Sequence, residues 1–79
     1  MEIRYSLSAL RALRRSGKRE LIVRKIEQLA VNPKALSGNI KRLQGRPQSR
    51  LRVQEWRVVF LVEDDILYVE EIGLRGSIY

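Results

Sequence analysis

The chain has 79 residues, with 16 Lys or Arg against 9 Asp or Glu for a formal charge of +7, and it has neither cysteine nor histidine. That composition excludes a disulfide framework, a Cys-ligated metal, a Ser-His-Asp set and a Cys-His pair, and leaves zinc only carboxylates to bind. The length suits one domain with a small core, spanning residues 1–79.

No stretch approaches the roughly 20 apolar residues of a bilayer span, and no signal-peptide pattern opens the chain, so a cytoplasmic protein is expected. The charge is unevenly spread. Residues 1–52 hold fourteen Lys or Arg against three Glu, whereas residues 53–79 hold two Arg against six acids. Such a balance favours an acidic partner: nucleic acid, an acidic protein or an anionic surface. Arginine outnumbers lysine twelve to four, which tilts the reading towards bidentate contacts with phosphate.

In chain order, Met1 to Tyr5 alternates in Ile3 and Tyr5 and predicts a short first strand. Ser6 or Ser8 then caps a helix whose apolar face is predicted from Leu7, Leu10 and Leu13 with Ala9 and Ala12. Ser16-Gly17 breaks it. A second helix is predicted from Lys18 to Val31, its buried stripe made of Ile22, Ile26, Leu29 and Ala30, with Leu21 and Val23 flanking. Asn32-Pro33 stops it, since proline disfavours helical geometry in the residue before it. Two helices so close in sequence fold back as an antiparallel hairpin. Its outer faces carry Arg11, Arg14, Arg15, Lys18, Arg19, Arg24 and Lys25.

Residues 33–49 contain both prolines and no strong period, so they are predicted as a connector pinned by Ile40 and Leu43. Sheet follows. Leu51 and Val53 face the core if Arg50 and Arg52 face out; Trp56 to Val62 reads as a central strand; Glu63-Asp64-Asp65 turns; and Ile66 to Ile72 returns antiparallel. Gly73 ends that strand, leaving Leu74 to Tyr79 as a loop with a short edge strand. The order predicts an α+β domain: an N-terminal strand, an antiparallel helical hairpin, then a mostly antiparallel sheet of three to four strands.

The candidate chemistry lies in arginine and tyrosine. Arg57 interrupts an apolar run and must leave the face carrying Trp56 and Val58. A three-residue turn at 63–65 would set it opposite Glu71 in an ion pair. Arg50 and Arg52 share one face about 6.5–7 Å apart, close to the phosphate repeat of an extended nucleic-acid strand, although alternating arginines also serve solubility. Arg75 lies between Gly73 and Gly76, which allow a tight turn or close approach to a ligand. Tyr79 is the last residue. An enzyme built on these groups would neutralise charge on a phosphorane with guanidiniums and use a phenol for proton transfer. RNA fits as substrate, because its 2′-hydroxyl is an internal nucleophile that needs no metal or other cofactor.

The stretch Arg50-Leu51-Arg52-Val53-Gln54-Glu55-Trp56-Arg57-Val58-Val59-Phe60, followed by Ile72-Gly73-Leu74-Arg75-Gly76-Ser77-Ile78-Tyr79, resembles the RelE/ParE superfamily of toxins, RelE type. The helical hairpin, with Ser8-Ala9-Leu10-Arg11-Ala12-Leu13 at its start, fits the same pattern, so the similarity covers essentially the whole chain. The resemblance implies an endoribonuclease that cuts messenger RNA in the ribosomal decoding site until a cognate antitoxin inhibits it. It implies catalytic roles for Arg57 at the transition-state phosphate, for Arg75 at the phosphate or leaving oxygen, and for Tyr79 at the reacting nucleotide. It also implies RNA binding by Arg50 and Arg52, with Lys41 and Arg46 nearby. In the family the positions of Arg50 and Arg52 are often lysines, which in some members act as general base. A guanidinium, with a pKa above about 12, supplies no proton acceptor there.

Two other functions stay open at this point: a ParE-like poison of DNA gyrase on the same scaffold, and a basic RNA- or protein-binding module without catalysis. Single-strand binders usually add aromatic stacking platforms, and this chain offers Trp56, one Phe and three tyrosines.

Overall fold

The structure, a computed structural model, describes residues 1–77, so the terminal Tyr79 lies outside the described residues. Strand β1 (Glu2–Tyr5) leads into helix α1 (Leu7–Ser16) and helix α2 (Arg19–Val31). A 3-10 helix (Pro33–Asn39) follows, then β2 (Ile40–Arg42), β3 (Ser49–Val53), β4 (Trp56–Glu63) and β5 (Ile66–Leu74). The five strands form one sheet in the order β1-β5-β4-β3-β2. β1 runs parallel to β5, and every other pairing is antiparallel. The α+β expectation holds, with a sheet one strand wider than the pattern suggested.

The extra strand is β2. Residues 33–49 were expected to be irregular, yet Lys41 pairs with Arg50 and Ile40 with Leu51. Three residues carry no readable period, so pairing with the strongly alternating β3 makes this strand, not its own composition.

Local chemistry explains the helices. Ser6 is the N-cap of α1: its hydroxyl oxygen accepts from the Ala9 amide at 3.0 Å, satisfying one of the donors a helix start leaves open. Gly17 closes α1 in the left-handed region at φ 69, where lack of a Cβ removes the steric cost. Only Gly17 and Lys18 separate the helices, and one cleft is lined by Leu13, Arg14 and Arg19 together with Leu10 and Val23. That pairing of positions on either side of the turn makes the helices a hairpin.

The predicted stripe of α2 is buried as expected: Ile22 and Ile26 at 0%, Leu29 at 1% and Ala30 at 6% exposure. α1 differs. Its buried residues are Ala9 and Leu13, one helical repeat apart, whereas Leu7 is 63% and Leu10 41% exposed. Ala9, fully buried, has only a methyl group to hold the helix off the sheet, so α1 turns its small residue inward and leaves two leucines at the surface.

The core lies between the hairpin and one face of the sheet. Leu51, Val53, Val58, Phe60, Leu67, Val69 and Ile72 supply the sheet side. Val58 pairs with Ile72, and Phe60 with Val69. Going from Phe60 to Val58 moves two residues along β4, but going from Val69 to Ile72 moves three along β5. A β-bulge at this point absorbs the extra residue, and the register shifts between Val59 and Phe60. It lets apolar residues of both parities on β5 reach one core. The Ser6 hydroxyl donates to the Glu70 carbonyl at 2.7 Å, so the α1 cap also holds the bulged segment.

The β4–β5 turn corrects a second expectation. Glu63 pairs with Ile66, leaving Asp64 and Asp65 as a two-residue turn with φ 53 and 60, the left-handed pair that matches strand twist. The shorter turn and the bulge together shift the register, and Arg57 pairs with Gly73 instead of Glu71.

Candidate active site

On β3, Leu51 and Val53 are buried at 0% and 2%, which turns Arg50 and Arg52 to the other face of the sheet. Residues directly opposite on neighbouring strands share a face, so pairing assigns the rest of this outer surface. Arg52 pairs with Arg57, and Arg57 with Gly73, which makes one row. Lys41, Arg50, Val59 and Glu71 make the next row. Leu61 and Tyr68 follow, and Tyr68 also pairs with Arg4. Val59 is fully buried yet stands outside the core cluster that holds Val58 and Phe60, as a residue covered by side chains of the outer face would.

Arg57 is the buried charge of the sheet, at 8% exposure. One terminal nitrogen of its guanidinium donates to the Gln54 carbonyl at 2.8 Å and to the Trp56 carbonyl at 3.0 Å. These contacts draw the side chain back over the β3–β4 turn, and in register Arg57 stands opposite Gly73, not Glu71 as expected. That turn has Gln54 at φ 55.

Arg75 reaches the same end of the face through the backbone. Its amide donates to the Glu55 carbonyl at 2.8 Å, joining the segment after β5 to the β3–β4 turn. The next turn is closed by Ser77, whose amide and hydroxyl both donate to the Leu74 carbonyl, at 3.0 Å and 2.7 Å. Gly76 has φ 87, which a side-chain-bearing residue would adopt only with strain. Arg75 itself is exposed.

The sequence-derived candidates are thus only partly gathered. Arg50, Arg52 and Arg57 share one sheet face, and Arg75 is tethered beside the Arg52–Arg57 row. Lys41, Arg50, Arg52 and Asn39 line one shallow depression. Arg46 is exposed in the β2–β3 loop, where its amide meets the Leu43 carbonyl at 3.4 Å. That loop lies at the opposite end of β3 from Arg52, so Arg46 stands apart from Arg57 and Arg75. The Tyr79 assignment lies outside the described residues.

Three polar residues on or beside this face escape a reading by simple alternation. Gln48 donates to the Glu70 carboxylate at 3.1 Å, while its own side-chain oxygen is buried with no hydrogen-bond partner among the described residues. Glu71 is half-buried across Val59 from Arg50. The signal was present in Leu67, Val69, Ile72 and Leu74, whose apolar positions change parity at Glu70-Glu71 and so require a bulge there.

Charge beyond the face is largely uncompensated. Among the described residues, Arg4 and Glu2 form the one ion pair within 4 Å, at 2.6 Å. The hairpin's Arg11, Arg14, Arg15, Lys18, Arg19 and Arg24 are exposed. No group of three or more acidic side chains is placed to hold a metal among the described residues. No helix there is long and apolar enough to cross a membrane.

No protein-family model and no curated protein matches the sequence. Solved structures do. RelE in the archaeal RelE–RelB complex from Pyrococcus horikoshii OT3 superposes with a TM-score of 0.77 at 17% identity, covering 96% of each chain. The H87Q mutant of YafQ from E. coli gives 0.75 at 19% identity, over 99% of this chain and 97% of that one. The chain matched in the intact E. coli RelBE toxin–antitoxin complex gives 0.68 at 24% identity, over 96% and 98%. The α+β architecture built above from cap, bulge and strand register is the RelE fold.

Proposed function

We propose that this protein is the toxin of a type II toxin–antitoxin pair and acts as a metal-independent endoribonuclease on messenger RNA in the ribosomal decoding site. The observation that carries this reading is the convergence of Arg50, Arg52 and Arg57 on one sheet face, with Arg75 tethered beside them, on a RelE fold. The 2′-hydroxyl of the bound nucleotide attacks the adjacent phosphorus, giving a 2′,3′-cyclic phosphate and a 5′-hydroxyl. Arg57 stabilises the phosphorane, and preorganised cations in a partly desolvated site are worth more than in water. Arg75 neutralises the phosphate or leaving 5′-oxygen, Tyr79 engages the reacting nucleotide, and Arg50, Arg52, Lys41 and Arg46 hold the RNA. The ribosome supplies alignment of the attacking and leaving oxygens.

The antitoxin in this scheme is an acidic, amphipathic protein that covers the basic face and the helical hairpin. Support comes from exposed hairpin cations without ion-pair partners among the described residues and from the antitoxin-bound state of RelE in the matched complexes.

The test is messenger cleavage during translation by wild type, Arg57→Ala and Arg75→Ala, with DNA supercoiling by gyrase assayed in parallel. Cleavage at defined codons by wild type, lost in both variants, is the expected result. Loss of supercoiling without cleavage would move the protein to the gyrase-poison class, and undiminished cleavage by the variants would remove Arg57 and Arg75 from the mechanism.

A further inference from the structure

The reaction proposed above must remove a proton from the 2′-hydroxyl, and the arginines around the site cannot accept it. A guanidinium carries five N–H donors and no acceptor. The chain has no histidine, and the outer positions of β3 hold Arg50 and Arg52. Lys41, the lysine of this face, stands on edge strand β2, two strands from Arg57, and a carboxylate is the other class of acceptor suited to neutral pH.

The described carboxylates occupy distinct places, with Glu20 and Glu27 on α2, across the core from this face. Glu2 pairs with Arg4 at the β1 edge. Glu63, Asp64 and Asp65 lie at the β4–β5 turn, at the far end of the sheet from Arg57. Glu55 is in the β3–β4 turn, off the end of the face. Glu70 takes the hydrogen bond from Gln48 at 3.1 Å. Glu71 alone of these shares a row with Arg50 across Val59, one row along from Arg52, Arg57 and Gly73. Glu71 is the diagonal neighbour of Arg57 across β4 and β5, a relation that sets Cα atoms about 7–8 Å apart, within reach of long side chains.

The bulge makes this placement. Without the extra residue, pairing of Phe60 with Val69 would continue as Val59 with Glu70 and would turn Glu71 towards the core. With it, Val59 pairs with Glu71 and Ile72 returns to the core beside Val58. Bulges recur next to active sites because they re-aim a side chain in this way.

We propose that Glu71 is the general base of the cleavage reaction, a role that rests on the nuclease reading above. Its carboxylate takes the proton as the O2′–H bond breaks and the 2′-oxygen forms a bond to phosphorus. The P–O5′ bond then breaks, its electron pair leaves with the 5′-oxygen, and that oxygen takes a proton from water. Glu71 returns its proton to solvent, so no oxidant, reductant or metal enters the balance. Arg50, directly across from Val59 on β3, and Arg57, two residues before it on β4, hold the phosphate next to the base.

The experiment is single-turnover cleavage of messenger RNA on programmed ribosomes by wild type, Glu71→Gln, Glu71→Asp and Glu55→Gln, with ribosome binding measured in parallel. A general base contributes about 10²–10⁴-fold in rate. Glu71→Gln is therefore expected to cleave at least about 100-fold more slowly while binding as tightly as wild type or tighter, since a negative charge leaves a phosphate-binding face. Glu71→Asp keeps a carboxylate and should recover part of the rate, and Glu55→Gln should cleave as wild type does. Circular dichroism melts verify that each variant is folded. Equal rates for wild type and Glu71→Gln would overturn the assignment, as would a matched loss of binding and rate. A wild type that does not cleave at all would instead refute the nuclease reading on which it rests.

Discussion

Arg52 and Arg57 face each other directly across β3 and β4, a pairing of like charges on one face of the sheet. Opposed residues on one face have Cα atoms about 4.5–5.5 Å apart, and like charges there are destabilising. A fold selected for stability alone would put an acid at one of the two positions. A dianionic or polyanionic ligand removes the repulsion, so the cost appears in the free protein and vanishes on binding.

Arg52→Ala should accordingly stabilise the free protein by about 0.2–1 kcal/mol, read from urea denaturation at low salt. The same change should weaken RNA binding and lower the slope of log K against log salt by about 1. Unchanged stability at low ionic strength would show that the pair does not repel.

Arg57 is expected to behave differently, because its guanidinium also satisfies the Gln54 and Trp56 carbonyls. Arg57→Ala should cost about 1–3 kcal/mol from the acceptors left without their donor. It should lower cleavage about 10²–10³-fold if the residue stabilises the phosphorane. Arg57→Lys, which keeps charge but not the planar fork, should fall between the two. Denaturation and cleavage assays on the same preparations check both effects.

Ser6 uses one oxygen twice, accepting from Ala9 and donating to the Glu70 carbonyl. Ser6→Ala should therefore cost about 1–2 kcal/mol and lower Tm by several degrees in a domain of this size. Ser6→Asp separates the two bonds, since a carboxylate caps α1 but cannot donate to the bulge. Its stability should lie between wild type and Ser6→Ala, and full restoration by Asp would show that the bulge contact contributes nothing.

The Tyr5 phenol is pushed above its ordinary value of 10.0 by burial, with the nearby Glu27 carboxylate adding to the shift. The folded state therefore holds this proton more tightly than the unfolded state. Its contribution is fully present below about pH 10 and is lost as pH rises through the higher folded value. Thermal stability should fall above pH 10, and Tyr5→Phe should flatten that decline; an identical alkaline slope in the variant would exclude Tyr5 as its cause.

What the sequence made legible follows from how each element is specified. The stripe Ile22, Ile26, Leu29 and Ala30 was readable because four apolar residues at helical spacing admit one buried face, and the structure buries all four. Arg50 and Arg52 were readable as outward-facing because Leu51 and Val53 fix the opposite parity. The face of α1 was legible in part: Ala9 and Leu13, both expected there, are buried, whereas Leu7 and Leu10 are exposed. A short helix with many apolar residues does not mark which arc meets the sheet. β2 was missed because a three-residue edge strand is made by its partner. The register of β5 was missed because a symmetric turn was assumed and the parity change at Glu70-Glu71 went unused. That error hid the placement of Glu71 on the arginine face.

The parallel pairing of β1 with β5 joins residues far apart in sequence: Ser6 and Glu70, whose contact spans 64 positions, meet only after β5 has been made. Contacts of such long range fold late. A nascent copy emerging from the ribosome therefore lacks the bulge, and with it the alignment of Glu71 opposite Val59, until β5 has been made. The arginine face is therefore completed by the last strand of the sheet to be made.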